Sequence, residues 1–161
     1  MAGFFYEGPK KLKANQLFRA TLRVTLEQNI KPGGCIVIAV RHYSDFGDPQ
    51  IDDREDENYI TISSSRPDLS WKLGQSNELE RHPWNNGINL ILEKGELNPE
   101  DTVSLNLGDD ASGCPGYRCQ SFSEKPFRFR LGIKQDKELI IWRSEDVFSG
   151  TCKKAILNKE F

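Results

Sequence analysis

The pattern of hydrophobic and polar positions predicts a chain built of β-strands. From Leu17 to Leu26, apolar residues alternate with arginine and threonine, and this period of two places one face in a core and the other in water. From Cys35 to Val40 the run is continuously apolar, which is typical of a strand covered on both faces. We therefore expect the second strand to lie in the centre of a sheet.

Similar short patterns recur along the rest of the chain, separated by clusters of Gly, Pro, Asn and Asp that favour turns. The further predicted strands are Tyr59–Ile62, Ile88–Leu92, Thr102–Leu107, Phe127–Ile133 and Glu138–Trp142. Helical periodicity is not sustained anywhere, and a short helix is conceivable only near Asn77 to Arg81. Because half-apolar sheets must cover one another, the chain is predicted to be all-β, an antiparallel β-sandwich, Ig-like or jelly-roll-like, of about 7–9 strands with long polar loops.

Length and charge narrow the class of protein further. The 161 residues fit a single β-sandwich domain over 1–161, with residues 1–15 poorly structured or forming an edge segment. A net charge of -2 is far from the basic balance of nucleic-acid binders, and no apolar run is long enough to span a membrane. The first residues lack the basic stretch of an export signal, so we expect a cytoplasmic location.

The residue types that usually carry catalysis or metal binding are sparse. His42 and His82 belong to no cluster with metal-ligand spacing, so each is expected to be a surface or hydrogen-bonded structural residue. No grouping of nucleophile, base and orienting residue is recognisable. The sequence therefore predicts no catalytic residue, no metal site and no cofactor for this chain.

The cysteines are too few and too irregularly spaced for a disulfide scaffold, and no C-x-x-C pair is present. They are Cys35, Cys114, Cys119 and Cys152. Reduced thiols are the favoured interpretation in a cytoplasmic protein. Cys114 and Cys119 lie in one loop, so pairing between these two stays open.

Two long loops concentrate the residues suited to recognition, and binding residues commonly lie on loops held by a rigid scaffold. One loop runs from Tyr43 to Glu57 and is strongly acidic, and the other runs from Gly108 to Gln120. The predicted ligand-binding residues are Asp45, Gln50, Trp84, Asp109, Tyr117, Arg118 and Gln120.

Arg118 is the most interesting candidate, because it follows a Pro-Gly turn and carries a planar fork of donors. Such a fork suits a carboxylate or a phosphate group of a ligand. The alternative is a structural role, in which the guanidinium ties the two loops together. In that case we expect its partner to be Asp45, Asp48 or Asp109.

The carboxylates of the second loop allow other interpretations. Asp109 and Asp110, with Ser112 and Gly113, offer oxygen ligands of the kind that calcium accepts, but Asx turns at a strand end explain the same residues without an ion. A hydrolase working with paired acids, for instance Asp45 with Asp109, requires two carboxyl groups whose pKa values are driven apart. The sequence alone does not show whether these two carboxylates meet.

Trp84 is flanked by Pro83 and by Asn85-Asn86-Gly87, a combination that predicts an exposed turn. An exposed tryptophan beside asparagine amides suits a sugar ring, so a free-standing carbohydrate-binding, lectin-like sandwich using Trp84 and Trp71 is the alternative function. Partial burial at the rim of the sandwich explains the same tryptophan without a ligand.

Several segments, in order and spacing over about residues 16 to 133, resemble the N-terminal β-domain of a bacterial family of uncharacterised proteins whose C-terminal half is a PHP-like (polymerase and histidinol phosphatase) metallohydrolase. The segments are Lys31–Gly34, Ser44–Gln50, Asn58–Ile62, Leu97–Val103, Leu107–Asp109, Ser112–Gly113, Pro115–Arg118 and Gln120–Phe122.

The resemblance implies a non-catalytic accessory domain, because the metal ligands of that family lie in its histidine-rich C-terminal half. It implies either the front part of a longer metal-dependent hydrolase or a free-standing relative with another role. The domain would position a substrate or a neighbouring domain through its loops. The expected partners are therefore a small-molecule or carbohydrate ligand, or an adjacent hydrolase domain, with the oligomeric state left open.

Overall fold

The computed structural model describes residues 3–41, 45–74, 84–135, 141–142 and 148–153. The side chains of residues 41, 84–86, 112, 124–128, 141–142 and 148–153 are not described. The strands, in chain order, are β1 (Gly3–Glu7), β2 (Lys11–Lys13), β3 (Leu17–Phe18), β4 (Ala20–Thr25), β5 (Cys35–Arg41), β6 (Ile60–Ser64), β7 (Ser70–Leu73), β8 (Trp84–Lys94), β9 (Thr102–Leu107), β10 (Tyr117–Arg118), β11 (Glu124–Lys134), β12 (Ile141–Trp142) and β13 (Phe148–Lys153).

Two large sheets and one small ribbon are formed by these strands. The first sheet has four strands in the order β1-β4-β9-β6, and the second has the order β2-β13-β11-β5-β8-β7, with β12 beside β11. Strand β3 pairs with β10 in a two-stranded ribbon. Within the described ranges the neighbouring strands are antiparallel, except that β2 and β13 are parallel.

A single large core lies between the two sheets. In β4 the buried and partly exposed residues alternate strictly, so that its apolar face meets the second sheet. The buried side chains include Ala20, Leu22, Val24, Val103, Leu105 and Leu107 from the first sheet, and Ile36, Ile38, Val40, Ile88, Leu90, Leu92, Phe129, Leu131 and Ile133 from the second. Burial of each large aliphatic side chain contributes about 1.5–3 kcal/mol relative to an exposed one.

The structure confirms the predicted fold class: the chain is an all-β sandwich, whose described part contains one short 3-10 turn, Asp110–Ser112, and no α-helix. The central position predicted for the run from Cys35 to Val40 is also confirmed. Strand β5 pairs with β11 on one side and β8 on the other, and all six residues of the run are buried. No helix in the described ranges has the length and apolar character needed to cross a membrane.

Several boundaries differ from the prediction for identifiable reasons. The predicted strand Leu17–Leu26 is divided at Arg19, because β3 pairs with β10 whereas β4 pairs with β1 and β9. The exposed turn predicted at residues 84–87 is wrong, since Trp84 to Gly87 form the beginning of β8. The possible helix near Asn77 to Arg81 lies outside the described residues.

Some strands carried too little pattern to be predicted. These are β1, β2, β7, β10 and β13. Strand β1 forms the edge of the four-stranded sheet beside β4. Strands β2 and β10 have three and two residues, which is too short for a period of two to be recognised.

Candidate functional site

Two loops meet at one end of the sandwich, and we call residues 45–59 and 108–122 together the loop end. Backbone hydrogen bonds join them directly: Gly47 N donates to Arg118 O, and Asn58 N donates to Gly116 O, both at 2.9 Å. The Asn58 side chain also accepts a hydrogen bond from Arg118 N at 2.8 Å. The two loops therefore form one interlocked unit rather than two independent loops.

Arg118 ties the two halves of the loop end together, as the structural alternative predicted. Its Nε donates to Glu57 Oε2 at 2.8 Å, and one terminal nitrogen lies 2.6 Å from the same oxygen. The other terminal nitrogen donates to Asn15 O at 2.6 Å. The acidic partner is thus Glu57, whereas Asp45, Asp48 and Asp109 had been expected. Contact of Arg118 with a ligand stays a prediction.

Tyr117 and Gln120, both predicted to contact a ligand, lie inside the protein. Tyr117 is 3% exposed, its hydroxyl donates to Gly47 O, and its ring packs edge-on against Phe18 with centroids 6.0 Å apart. Burial, with a smaller contribution from Asp48, raises the pKa of Tyr117. Gln120 is fully buried and donates to Phe122 O at 3.2 Å. In this structure both side chains stabilise the loop end from within.

Asp45 fastens the start of the first loop to the end of the second. Its carboxylate accepts hydrogen bonds from Ser121 N, at 2.8 Å, and from the Ser121 hydroxyl. Asp45 is exposed, and the limited desolvation that it undergoes acts to raise its pKa, but the hydrogen bonds from Ser121 outweigh this effect and lower the pKa below its ordinary value. The carboxylate is therefore held in its charged form.

Asp109 is held by partners different from those of Asp45. One carboxylate oxygen accepts from the Thr61 hydroxyl at 2.7 Å, and the other accepts from Ala111 N at 3.0 Å. The second contact is an Asx turn, in which Asp109 caps the start of the 3-10 turn. This structural role accounts for Asp109 without a calcium ion. Among the described residues, no group of three or more His, Cys, Asp or Glu side chains could hold a metal ion.

Gln50 organises the acidic loop internally. Its amide nitrogen donates to Asp53 O at 2.6 Å, while its amide oxygen accepts from Asp52 N and Asp53 N at 2.9 and 2.8 Å. This arrangement directs acidic side chains outward. The exposed acids of the loop are Asp45, Asp48, Asp52, Asp53, Glu55 and Asp56, and Ile51 beside them is 39% exposed.

The remaining predicted residues divide into described and undescribed positions. Trp84 begins β8, where its backbone pairs with Arg41, but its side chain is not described, so its predicted contact with a sugar stays a prediction. Trp71 is partly buried against the core. His42 and His82 lie outside the described residues. Cys114 and Cys119 are buried thiols and are not joined by a disulfide.

Sequence reasoning did not identify Glu57 and Asn58 as the residues that hold Arg118. Asn58 adopts a positive φ of 66° and its side chain fills the space in front of Gly47, where a Cβ atom would lie only 2.2 Å from the amide oxygen. An Asn followed by a strand, with a glycine eleven residues earlier, is too common a pattern to indicate this contact. The tertiary arrangement of the two loops was needed to show it.

Comparison with known proteins gives one structural likeness and no family. No family model and no curated protein matches the chain. Among solved structures, the chain is similar to a cohesin module from a family 33 glycoside hydrolase of Clostridium perfringens, with 10% sequence identity and a TM-score of 0.45. The similarity covers 96% of this chain and 98% of that module. A likeness at this level carries no information about function.

Proposed function

We propose that this chain is a non-catalytic binding domain whose loop end docks onto a neighbouring protein domain. The observation that carries the proposal is the interlocking of the two loops through Arg118, Glu57 and Asn58. Loops held in one conformation lose little entropy when a partner binds, which favours a rigid docking surface. In its finer form, the proposal is a front module of PHP-like metal-dependent hydrolases, which rests on the sequence resemblance alone.

The charge of the loop end supports a protein partner over an anionic ligand. The guanidinium of Arg118 already bonds to Glu57 and to the backbone of Asn15, so a phosphate or carboxylate group would have to displace them. The exposed side chains around it are mainly carboxylates, which repel anions and attract a surface that carries Lys and Arg. We therefore infer that the docked surface is basic.

The test uses the whole chain as one partner and the metallohydrolase half of a PHP-like family member, supplied as a separate protein, as the other. Reversing two exposed charges, with Asp52→Lys and Asp53→Lys together, is expected to weaken binding by roughly tenfold or more, because like charges then face each other. Binding of the wild-type chain is expected to weaken as salt is added. Surface plasmon resonance measures both effects.

The matched control is Glu93→Lys, which also reverses an exposed charge but lies in β8, outside the loop end. It is expected to leave binding close to that of the wild type. The proposal is wrong if no binding is seen, if the control weakens binding as much as the double variant does, or if binding survives both Arg118→Ala and replacement of residues 45–50.

A further inference from the structure

A pocket of about 270 Å³ lies on the outer face of the four-stranded sheet, away from the core. Its floor is formed by β4 and β9, and its wall by the turn that begins at Gly108. The polar side chains that line it are Glu7, Arg19, Thr21, Asn106, Asp109 and Asp110. Carboxylate, guanidinium, hydroxyl and amide groups thus converge on one concave surface.

A row of hydrogen bonds across three adjacent strands holds the floor of the pocket in place. The pairing register sets Thr21 of β4 opposite Asn106 of β9, and Asn106 opposite Thr61 of β6. The Thr21 hydroxyl donates to Asn106 Oδ1 at 2.9 Å, and Asn106 Nδ2 donates to Thr61 Oγ1 at 3.1 Å. The Thr61 hydroxyl then donates to Asp109 Oδ2 at 2.7 Å. These side chains are therefore oriented before any ligand arrives.

The same groups can form further hydrogen bonds with a ligand. The amide of Asn106 has a second N–H, the Thr21 oxygen can accept, and each carboxylate oxygen has two lone pairs. Arg19 is positioned at the rim, where one terminal nitrogen donates to Cys114 O at 2.7 Å and lies 3.4 Å from Asp110. Arg19 also lines the pocket, so its guanidinium supplies donors there. The pocket therefore offers both donors and acceptors.

The balance of charge and polarity indicates the class of ligand. Three carboxylates line the pocket, but Arg19 lies beside Asp110, and Arg23 pairs with Glu7 at 3.1 Å, so most of the negative charge is offset. Such a surface suits a neutral molecule with many hydroxyl groups, each of which donates and accepts. We propose that this pocket binds a neutral saccharide, with one sugar ring resting on Thr21 and Asn106.

The pocket shares Gly108, Asp109 and Asp110 with the loop end, but none of the exposed acids of residues 45–56, on which the docking test acts, lines it. The two proposals can therefore fail separately. A purely structural role for the row is the competing explanation, because polar pairs across neighbouring strands also stabilise a sheet. That role predicts an effect of substitutions on stability but no ligand. Binding measurements with a control on the same face separate the two.

The experiment is an NMR titration of the whole chain with glucose, galactose, mannose and N-acetylglucosamine, each as its methyl glycoside. At least one of these probes is expected to shift the amide signals of Thr21, Asn106, Asp109 and Asp110 in a saturable way. Asp110→Ala and Thr21→Val are each expected to weaken that binding by at least roughly tenfold, the loss that follows when a polar partner of a ligand is removed. The side chain of Asp110 is 86% exposed, so its removal should leave the fold intact.

The matched control is Thr25→Val, which makes the same change on the same face of β4 but outside the pocket. It is expected to bind the probe like the wild type, as is the variant carrying Asp52→Lys and Asp53→Lys. Thermal unfolding of every variant confirms that it folds. Ethylammonium is titrated in the same way, because a small cation tests whether the carboxylates alone make the site. The proposal is overturned if none of the glycosides shifts these signals, if neither pocket variant weakens binding, or if ethylammonium binds there and the glycosides do not.

Discussion

At the scale of single residues, Gly87 is required by a contact with a neighbouring strand, and the local sequence does not indicate that contact. The pair Asn86-Gly87 predicts a turn, yet both residues lie in β8. The register between β5 and β8 shifts between Ile38 and Val40, which places Gly87 against the backbone of β5. A Cβ atom at Gly87 would lie 1.9 Å from Ile38 O, so the close approach of the two strands requires glycine.

We predict that Gly87→Ala lowers the free energy of unfolding by about 3 kcal/mol or more, because neither backbone can yield without breaking the central sheet. Gly113→Ala is the matched control: Gly113 has a φ of 89°, but a Cβ atom there would meet nothing within 4 Å. Its cost is therefore limited to backbone strain, about 1–2 kcal/mol. Urea denaturation measures both, and equal losses for the two variants would contradict this account.

At the scale of elements, β1 illustrates how an edge strand is held. Its side chains alternate, so that Phe4 and Tyr6 pack against the core while Phe5 is 57% exposed. The ring of Tyr6 stacks on that of Phe129, with centroids 6.2 Å apart, and its hydroxyl donates to Pro9 O at 2.7 Å. Strand β1 therefore closes one side of the core rather than lying loosely beside it.

Replacement of the inward ring should be much more costly than replacement of the outward one. We expect Tyr6→Ala to lower the free energy of unfolding by about 2–4 kcal/mol, because it removes buried ring contacts and leaves space at the core. Phe5→Ala should change it by less than about 0.5 kcal/mol, as is usual for surface substitutions. Chemical denaturation tests this difference, and similar losses for both variants would show that β1 does not contribute to the core.

At the scale of the whole molecule, two carboxylates connect separate parts of the sandwich and make its stability depend on pH. Asp45 joins the halves of the loop end through Ser121. Asp101 accepts from Asn98 N at 2.7 Å and from Arg66 Nε at 2.8 Å, and these contacts lower its pKa from the ordinary value of 3.8. The pKa of Asp45 is lowered from the same value.

A carboxyl group whose pKa is lower in the folded state than in the unfolded state stabilises the fold. This stabilisation is complete when the pH is above the ordinary pKa of the group. That stabilisation is lost as the pH falls from 3.8 through the lower pKa of the folded state. We therefore expect stability to decline in acid, and the decline to be shallower in Asp45→Asn and Asp101→Asn. Urea unfolding across this range is the measurement. An unchanged slope in both test variants would contradict the prediction.

The sequence by itself determined the class of fold and the central strand. Alternation along β4 and the apolar run of β5 are local properties, because a side chain's face in a strand follows from its position alone. The crowding of acids between residues 43 and 57, together with Gly47 and Pro49, likewise indicated a loop, and no strand lies in the described part of that range.

Only the tertiary structure decided which polar groups meet. The partner of Arg118 proved to be Glu57, and Thr21, Thr61 and Asn106 form one row, although they lie on strands far apart in the chain. The burial of Tyr117 and Gln120 was also not predicted from the sequence. The physical reason is that strand order and register minimise the free energy of the whole core, so neighbours across a sheet are not encoded in any one segment.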